Sequence, residues 1–283
     1  MSESNALINL GDLSKPATVL IEKVCNAVGV LYEPTRIRRE AQAKADAERI
    51  NTLARIERTA LEERAIDRLI RQEVRKLENI ESITSQAVSQ LPPDACPDKL
   101  EEDWVAHFFK QCEMVSDKDM QSLWAKLLAG EATKPTSFSK RTVDFVASMD
   151  KRDAALFTLL CRYVWSFPDP IPLIYDPNAE YLKKIGLTFA SFKHLDAIGL
   201  ISFESVAGYS FAGIEKNAVF AYFDQRVFIQ FPQEANNNLE VGKVLLTATG
   251  KELFHICGAV SDDEYFREVL KAWLTRSLIV TTF

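Results

Sequence analysis

Most sequence signatures of catalysis are missing from this chain. It contains no G-x-x-x-x-G-K-[ST], G-x-G-x-x-G or H-E-x-x-H motif, so a phosphate loop, a dinucleotide site and a helical zinc site are not indicated. Only three histidines are present, too few and too scattered to predict a metal site. We therefore expect a protein that is not an enzyme and that has no catalytic residues, cofactor or metal.

Paired cysteines and long apolar runs are also lacking. The five cysteines form an odd, scattered set without a C-x-x-C pair, which is typical of a reducing cytosol rather than of a disulfide framework. The N-terminus lacks the basic and then apolar pattern of a signal peptide, and no window of about 18 apolar residues is available to span a membrane. These features predict a cytoplasmic protein with no transmembrane segment.

Positive charge is not in excess. The 34 Lys and Arg residues are outnumbered by 40 Asp and Glu residues, and the net charge of −6 argues against broad binding to nucleic acid. Nucleic acid is therefore an alternative partner and not the favoured one. With 283 residues, 47% of them hydrophobic, the chain is long enough for two folded parts and a connecting helix.

Glycine and proline are absent from residues 35–91, and this long uninterrupted stretch is the main structural feature of the sequence. It predicts a long helix or a helical hairpin over residues 34–91, which as a single rod would reach roughly 87 Å. Its twelve basic and ten acidic residues are close to balance, as is typical of a solvated helix surface. Two prolines at positions 92 and 93 end the helix.

The second half of this helix carries an apolar stripe. Apolar residues recur three or four apart from residue 66 to residue 91, which places them on one face. Such a face on an over-long helix predicts a coiled coil with a second copy, or with another protein. The candidate partner-binding residues on the stripe are Ile66, Ile70, Val74, Leu77 and Ile80. A basic cluster at the helix start, Arg36, Arg38 and Arg39, is a further candidate for contact with an anionic partner.

Residues 1–33 are predicted to form a polar tail and a short amphipathic helix. Ser14 can cap this helix, Pro16 is tolerated in its first turn, and Gly29 lies near its end. Residues 16–32 could contact a membrane surface or pack on the long helix. Packing is favoured, because Glu22 and Lys23 do not make a strongly cationic polar face.

Residues 98–165 are predicted to form a helical bundle, and residues 166–283 a winged-helix-like domain. In the bundle we expect Ser116 to cap a helix that starts at Asp117, and Trp165 to lie inside the last helix. In the following domain, Thr188 caps a helix that stops at Gly199, and strand-like runs follow. The predicted fold class is α+β, mainly α, with a long N-terminal helix or helical hairpin, a central bundle and this C-terminal domain.

The C-terminal part resembles a winged-helix domain. The residues that carry the resemblance are the helix end at 195–201 (LDAIGLI), a hairpin region, and the capped helix start at 246–253 (LTATGKEL). The resemblance covers roughly residues 150–260 and implies that helix 188–198 could read DNA. In that helix, only Lys193 and His194 are polar side chains suited to contact DNA. Residues 166–283 as a whole hold ten basic and fourteen acidic residues. Contact with a protein, or a structural role, is therefore favoured.

A second resemblance spans most of the chain. Residues 14–17 (SKPA), 29–34 (GVLYEP), 124–131 (WAKLLAGE) and 137–139 (SFS) resemble a bacterial family known as domain of unknown function 2806. The motif at 124–131, with Asp153 and Ala154, more distantly resembles the abortive-infection alpha family. That likeness implies a part in defence against phage. Neither resemblance identifies catalytic residues in this chain.

Together these features favour a non-enzymatic, oligomerising scaffold or sensor that contacts a protein partner, and we expect it to act in phage defence. The alternative is a transcription regulator that uses the winged helix. A hydrolase is the third class: Ser137 and Lys140 formally match S-x-x-K, but without its partner motifs a helix cap is the simpler interpretation. His107 and Cys112 lie too far around one helix to act alone as a dyad.

The transcription-regulator alternative makes a specific prediction. If helix 188–198 reads DNA, Lys193→Glu weakens binding to a DNA duplex, because it replaces a cation near the phosphates with an anion. Fluorescence anisotropy at increasing salt measures this effect, and unaltered binding by the variant counts against the alternative.

Overall fold

The computed structural model describes residues 14–29, 60–276 and 278–282. Contacts divide the chain into an N-terminal unit, Met1–Ala147, and a C-terminal unit, Ser148–Phe283. Helices predominate and the strands form small antiparallel sheets, so the α+β, mainly α prediction is confirmed. No helix among the described residues is both long and apolar enough to cross a membrane.

The described part of the N-terminal unit is helical. Its helices are α1 (Lys15–Val28), α2 (Ala60–Val88), a 3₁₀ turn (Pro97–Lys99), α3 (Glu102–Cys112), α4 (Lys118–Thr133) and α5 (Lys140–Ser148). Of the helix predicted over residues 34–91, residues 34–59 lie outside the described part of the chain, as do Arg36, Arg38 and Arg39. The choice between one rod and a hairpin therefore stays a prediction.

Helix α1 forms as its sequence predicts and turns its apolar face inward. The Ser14 side chain caps the N-terminus, accepting a hydrogen bond from the Ala17 amide, and Gly29 ends the helix in a left-handed conformation. Leu20, Ile21 and other apolar residues of α1 are buried in contacts with α3, the 3₁₀ turn and α2. Packing within the unit thus occupies the face that membrane contact would need.

Aromatic packing joins α3 to α4. The Phe108 ring stacks on Trp104, with 5.2 Å between ring centroids, and meets Trp124 edge to face at 5.1 Å. All three side chains are buried. The cap of α4 is Asp117, which accepts hydrogen bonds from two amides of the first turn, and not Ser116 as predicted, because Ser116 binds side chains of α2.

A buried glutamate closes the turn after α4. The Glu131 carboxylate, 4% exposed, accepts hydrogen bonds from the Thr136 amide at 2.6 Å and the Phe138 amide at 2.8 Å. Thr136 has a φ of 71°, which a β-branched residue rarely adopts. Because Glu131 ends the WAKLLAGE motif, the motif's acidic residue holds a strained turn in place.

We expect Glu131→Ala to lower the free energy of unfolding by about 2–5 kcal/mol, because two amide groups lose their acceptor in a buried site. Glu131→Gln keeps one acceptor oxygen and loses less. Urea unfolding followed by circular dichroism measures both. Glu101→Ala is the control, since Glu101 is exposed and makes no side-chain cap; a Glu131→Ala loss no larger than the control's would contradict this role.

The C-terminal unit combines helices with three sheets. Its helices are α6 (Lys151–Cys161), α7 (Glu180–Lys184), α8 (Phe189–Ala197), α9 (Ala248–Phe254) and α10 (Asp263–Thr275). Its strands are β1 (Val164–Phe167), β2 (Asp169–Pro172), β3 (Ile201–Phe203), β4 (Tyr209–Ile214), β5 (Asn217–Tyr222), β6 (Gln225–Gln230), β7 (Asn237–Gly242), β8 (Val244–Leu246) and β9 (Ile279–Thr282). One sheet has the order β2-β1-β5-β6-β9, while β3 pairs with β8 and β4 with β7.

The boundary between the units lies earlier than the predicted one at residues 165 and 166. Helix α6 ends at Cys161, and Trp165 lies in β1 rather than inside a helix. The Trp165 indole packs on Trp273, with 4.9 Å between ring centroids, and donates a hydrogen bond to the Tyr265 hydroxyl at 3.2 Å. This aromatic core assigns residues 150–165 to the C-terminal unit.

The helix and strands that carry the winged-helix resemblance are present. Thr188 caps α8 through a capping box, and Gly199 follows it with a φ of 85°. Strand β8 leads to α9, which Thr247 caps. Strand β7 begins within the Asn236–Asn238 run, a composition typical of a loop, but Asn237 is buried and its side-chain amide donates a hydrogen bond to the Ile214 carbonyl. The winged-helix assignment itself stays a prediction.

Gly242 permits a close backbone approach in this unit. It has a φ of 104°, and a Cβ at this position would lie 2.1 Å from the Ile174 carbonyl oxygen. That same oxygen accepts a hydrogen bond from the Lys243 amide at 2.8 Å. Only glycine can both adopt this positive φ and fit beside the Ile174 carbonyl.

Gly242→Ala should lower the free energy of unfolding by about 2–5 kcal/mol, because it adds backbone strain to a steric clash. Gly213→Ala is a matched control: Gly213 has a φ of 79° but nothing within 4 Å of an added Cβ, so it reports strain alone. Thermal and urea unfolding compare the two variants. Equal losses would show that the approach to Ile174 carries no cost.

Candidate functional site

Among the described residues, α2 packs on the rest of its unit mainly through its C-terminal part, from Asn79 onward. Ile80, Ile83 and Ala87 are buried, with exposures of 6%, 0% and 0%, and α2 packs there chiefly on α4. Ile80, predicted as a partner-binding residue, therefore lies in the chain's own core. This burial leaves Ile80 little surface to offer a partner, and its assignment as a partner-binding residue stays a prediction.

From its start to Leu77, α2 leaves most of its large apolar side chains in solvent. Ile70 is 56% exposed, Val74 49% and Leu77 38%, while Ile66 is half-buried. Leu61 and Leu69 are also exposed. Four of the five predicted stripe residues thus remain accessible, and we call Ile66, Ile70, Val74 and Leu77 the α2 stripe.

Helical geometry explains why one helix face is divided in this way. At about 100° per residue, the α2 stripe falls within an arc of about 80°. Ile80, Ile83 and Ala87 also cluster, but around a direction about 100° away. A single neighbouring helix therefore cannot cover both sets, and α4 covers the second.

Buried polar contacts fix α2 where the exposed half begins. The Asn79 side-chain amide donates hydrogen bonds to the Glu113 carbonyl at 2.9 Å and the Ser116 hydroxyl at 3.3 Å, and its oxygen accepts one from Gln121 at 3.0 Å. One turn earlier, Lys76 lies 3.2 Å from the Glu113 carboxylate. Sequence reasoning missed this junction, because Asn79 interrupts an apolar pattern and reads as a surface residue.

The Lys193 candidate on α8 is held by its own unit. Its Nζ lies 3.9 Å from Asp196 Oδ2 and 5.2 Å from the centroid of the Phe203 ring. The neighbouring His194 Nε2 is 2.6 Å from Asp153 Oδ1. Both basic groups of this helix therefore have anionic neighbours, which reduces the positive charge that they offer to DNA.

The side chains considered for catalysis have structural partners. The Ser137 hydroxyl donates to the Lys134 carbonyl at 2.6 Å. His107 binds Asp144 at 2.7 Å and Cys112 is buried, where desolvation raises the pKa of the thiol. Asp144 was not foreseen, since it lies on another helix, α5. Over residues 14–29, 60–276 and 278–282, no three His, Cys, Asp or Glu side chains are placed to hold a metal ion.

Comparison with known proteins identifies a family but no function. The family model described as "Protein of unknown function (DUF2806)" matches residues 63–270. No curated protein and no solved structure matches the chain. The matched region begins within the exposed half of α2 and extends into α10.

Proposed function

The chain belongs to this family of proteins of unknown function, and from that premise we propose a function based on geometry: a non-enzymatic scaffold that self-associates through the α2 stripe. The single observation that carries the proposal is the exposure of Ile70, Val74 and Leu77 on a helix whose second half is firmly packed. Water contact with three adjacent large apolar side chains is unfavourable. In a two-fold symmetric dimer, both copies use the same surface, so the α2 stripe of one copy packs against the α2 stripe of the other.

The charges around the α2 stripe favour a protein over a membrane surface. Glu63, Asp67, Glu73 and Glu81 lie on or beside the arc of the stripe. An anionic bilayer would repel such a surface. A second copy instead buries apolar side chains and leaves the carboxylates at the solvated rim, where screening by salt reduces their mutual repulsion.

The size of the stripe sets the strength of the association. Burial of a half-exposed Ile, Val or Leu contributes about 1 kcal/mol, so the exposed members on two copies together supply about 6–8 kcal/mol. The loss of translational and rotational freedom costs about 4–15 kcal/mol. Even at the lower end of that cost the α2 stripe supplies a net of only about 2–4 kcal/mol, so assembly at tens of micromolar also requires burial of the surface around the stripe.

The α2 stripe can be tested with charge substitutions. Ile70→Glu combined with Val74→Glu should leave a monomer at tens of micromolar, where the unmodified chain self-associates, because four carboxylates then meet in the interface. Multi-angle light scattering on full-length chains gives the mass. Higher salt should strengthen association of the unmodified chain, since the flanking charges are acidic.

Ala65→Glu is the matched control. Ala65 is exposed on α2, outside the arc of the α2 stripe, so a single carboxylate and a good helix former are added where no interface is proposed. A strictly monomeric unmodified chain, or a double variant that assembles as well as the control, would overturn the proposal.

The expectations on phage defence and on cellular location remain predictions. A part in phage defence follows only from the likeness to the abortive-infection alpha family, and the Glu131 of that motif holds the turn at Thr136 and Phe138. A cytoplasmic location is an expectation from the cysteine pattern. The transcription-regulator alternative has less support than self-association, because Lys193 and His194 both have acidic neighbours.

A further inference from the structure

A second stripe on α2 consists of arginines. Arg64, Arg68, Arg71 and Arg75 are all exposed and follow one another at intervals of four, three and four residues. At about 100° and 1.5 Å per residue, they share an arc of about 60° and extend over about 16.5 Å. This row, which we call the arginine row, lies about 135° around the helix from the α2 stripe. The two surfaces therefore do not overlap.

The arginine row lines a groove. A cavity of 440 Å³ is bounded by the four arginines together with Asp67, Gln72 and Met114. Met114 comes from the residues that follow α3, and its side chain is 50% exposed. Arg75 Nε donates a hydrogen bond to Ser116 Oγ at 3.2 Å, and Asn79 binds the same hydroxyl. These hydrogen bonds hold the segment that contains Met114 and Ser116 beside the arginine row.

The positive charge of the groove is poorly compensated within the described residues. The acidic side chain that lines it, Asp67, lies 4.0 Å from Arg71, and Arg64 Nε donates to the carbonyl of Ala60. Lys76, the remaining cation of α2, is by contrast paired with Glu73 at 3.0 Å and with Glu113 at 3.2 Å. Four guanidinium groups thus face one carboxylate.

We propose that the arginine row binds the phosphate backbone of single-stranded nucleic acid. A strand carries one negative charge per nucleotide, so it offers a regular line of anions to a regular line of cations. Guanidinium forks bind phosphate oxygens in a bidentate manner, and their planes stack on bases. Gln72 adds an amide for a base edge, and Met114 an apolar contact for a base face.

Two features distinguish this ligand from other polyanions. The unstacked bases of a single strand can reach Gln72 and Met114 in the groove, whereas the bases of a duplex are already paired and stacked with one another. An acidic helix could match the spacing of the arginine row, but it would need apolar residues to bury, which the groove provides only at Met114. The net charge of −6 makes this a local site with a modest affinity rather than a general nucleic-acid surface.

The test is binding of a fluorescently labelled oligothymidylate to the full chain, measured by anisotropy at increasing salt. Neutralisation of three or four phosphates predicts a slope of about −2 to −3 in a plot of log affinity against log salt. Arg68→Glu should weaken binding about tenfold and reduce the slope by about 0.7. Arg68→Lys keeps the charge, so it should preserve the slope while weakening binding through loss of the guanidinium fork.

Lys99→Glu is the matched control, since Lys99 is exposed in the same unit but does not line the groove. Circular dichroism checks that each variant is folded. Absence of binding, or equal effects of Arg68→Glu and Lys99→Glu, would overturn the proposal. Polyglutamate that competes as well as the oligonucleotide would assign the groove to an acidic protein, and tighter binding of a duplex would refute the single-strand assignment.

Discussion

The packing of the second half of α2 on α4 is the constraint on which the proposed function depends. Ile80, Ile83 and Ala87 fill the interface, and Asn79 ties α2 to the turn between α3 and α4. Because this half is fixed, the first half projects as a continuous helix whose side chains keep their register. An apolar stripe and an arginine row then occupy separate faces of the same rigid element.

We expect the two proposed surfaces to respond to ionic strength in opposite ways. Salt screens the carboxylates that surround Ile70 and Val74, which favours contact between apolar side chains. The same ions compete with phosphates for Arg68 and its neighbours. A helix with both surfaces could link self-association to the capture of a polyanion without any catalytic group, since it needs only a folded bundle to hold it.

Motifs that look functional in the sequence serve stability in this structure. The glutamate of the WAKLLAGE motif binds the amides of Thr136 and Phe138, and the motif's Trp124 is buried against Phe108. In the C-terminal unit, Trp165 joins an aromatic core with Tyr265. A buried carboxylate is costly unless hydrogen-bond donors surround it, and the amides of Thr136 and Phe138 supply such donors to Glu131.

The sequence by itself determined the local structure. The caps of α1 and α8 at Ser14 and Thr188 follow from hydrogen bonds within one turn, and the α2 stripe follows from helical periodicity. Only the tertiary structure decided that Ile80 is buried while Ile70 is exposed, that Trp165 belongs to a strand, and that Met114 completes a groove with distant arginines. The reason is physical: periodicity specifies which side chains share a face, whereas contacts between residues far apart in the chain determine what covers that face.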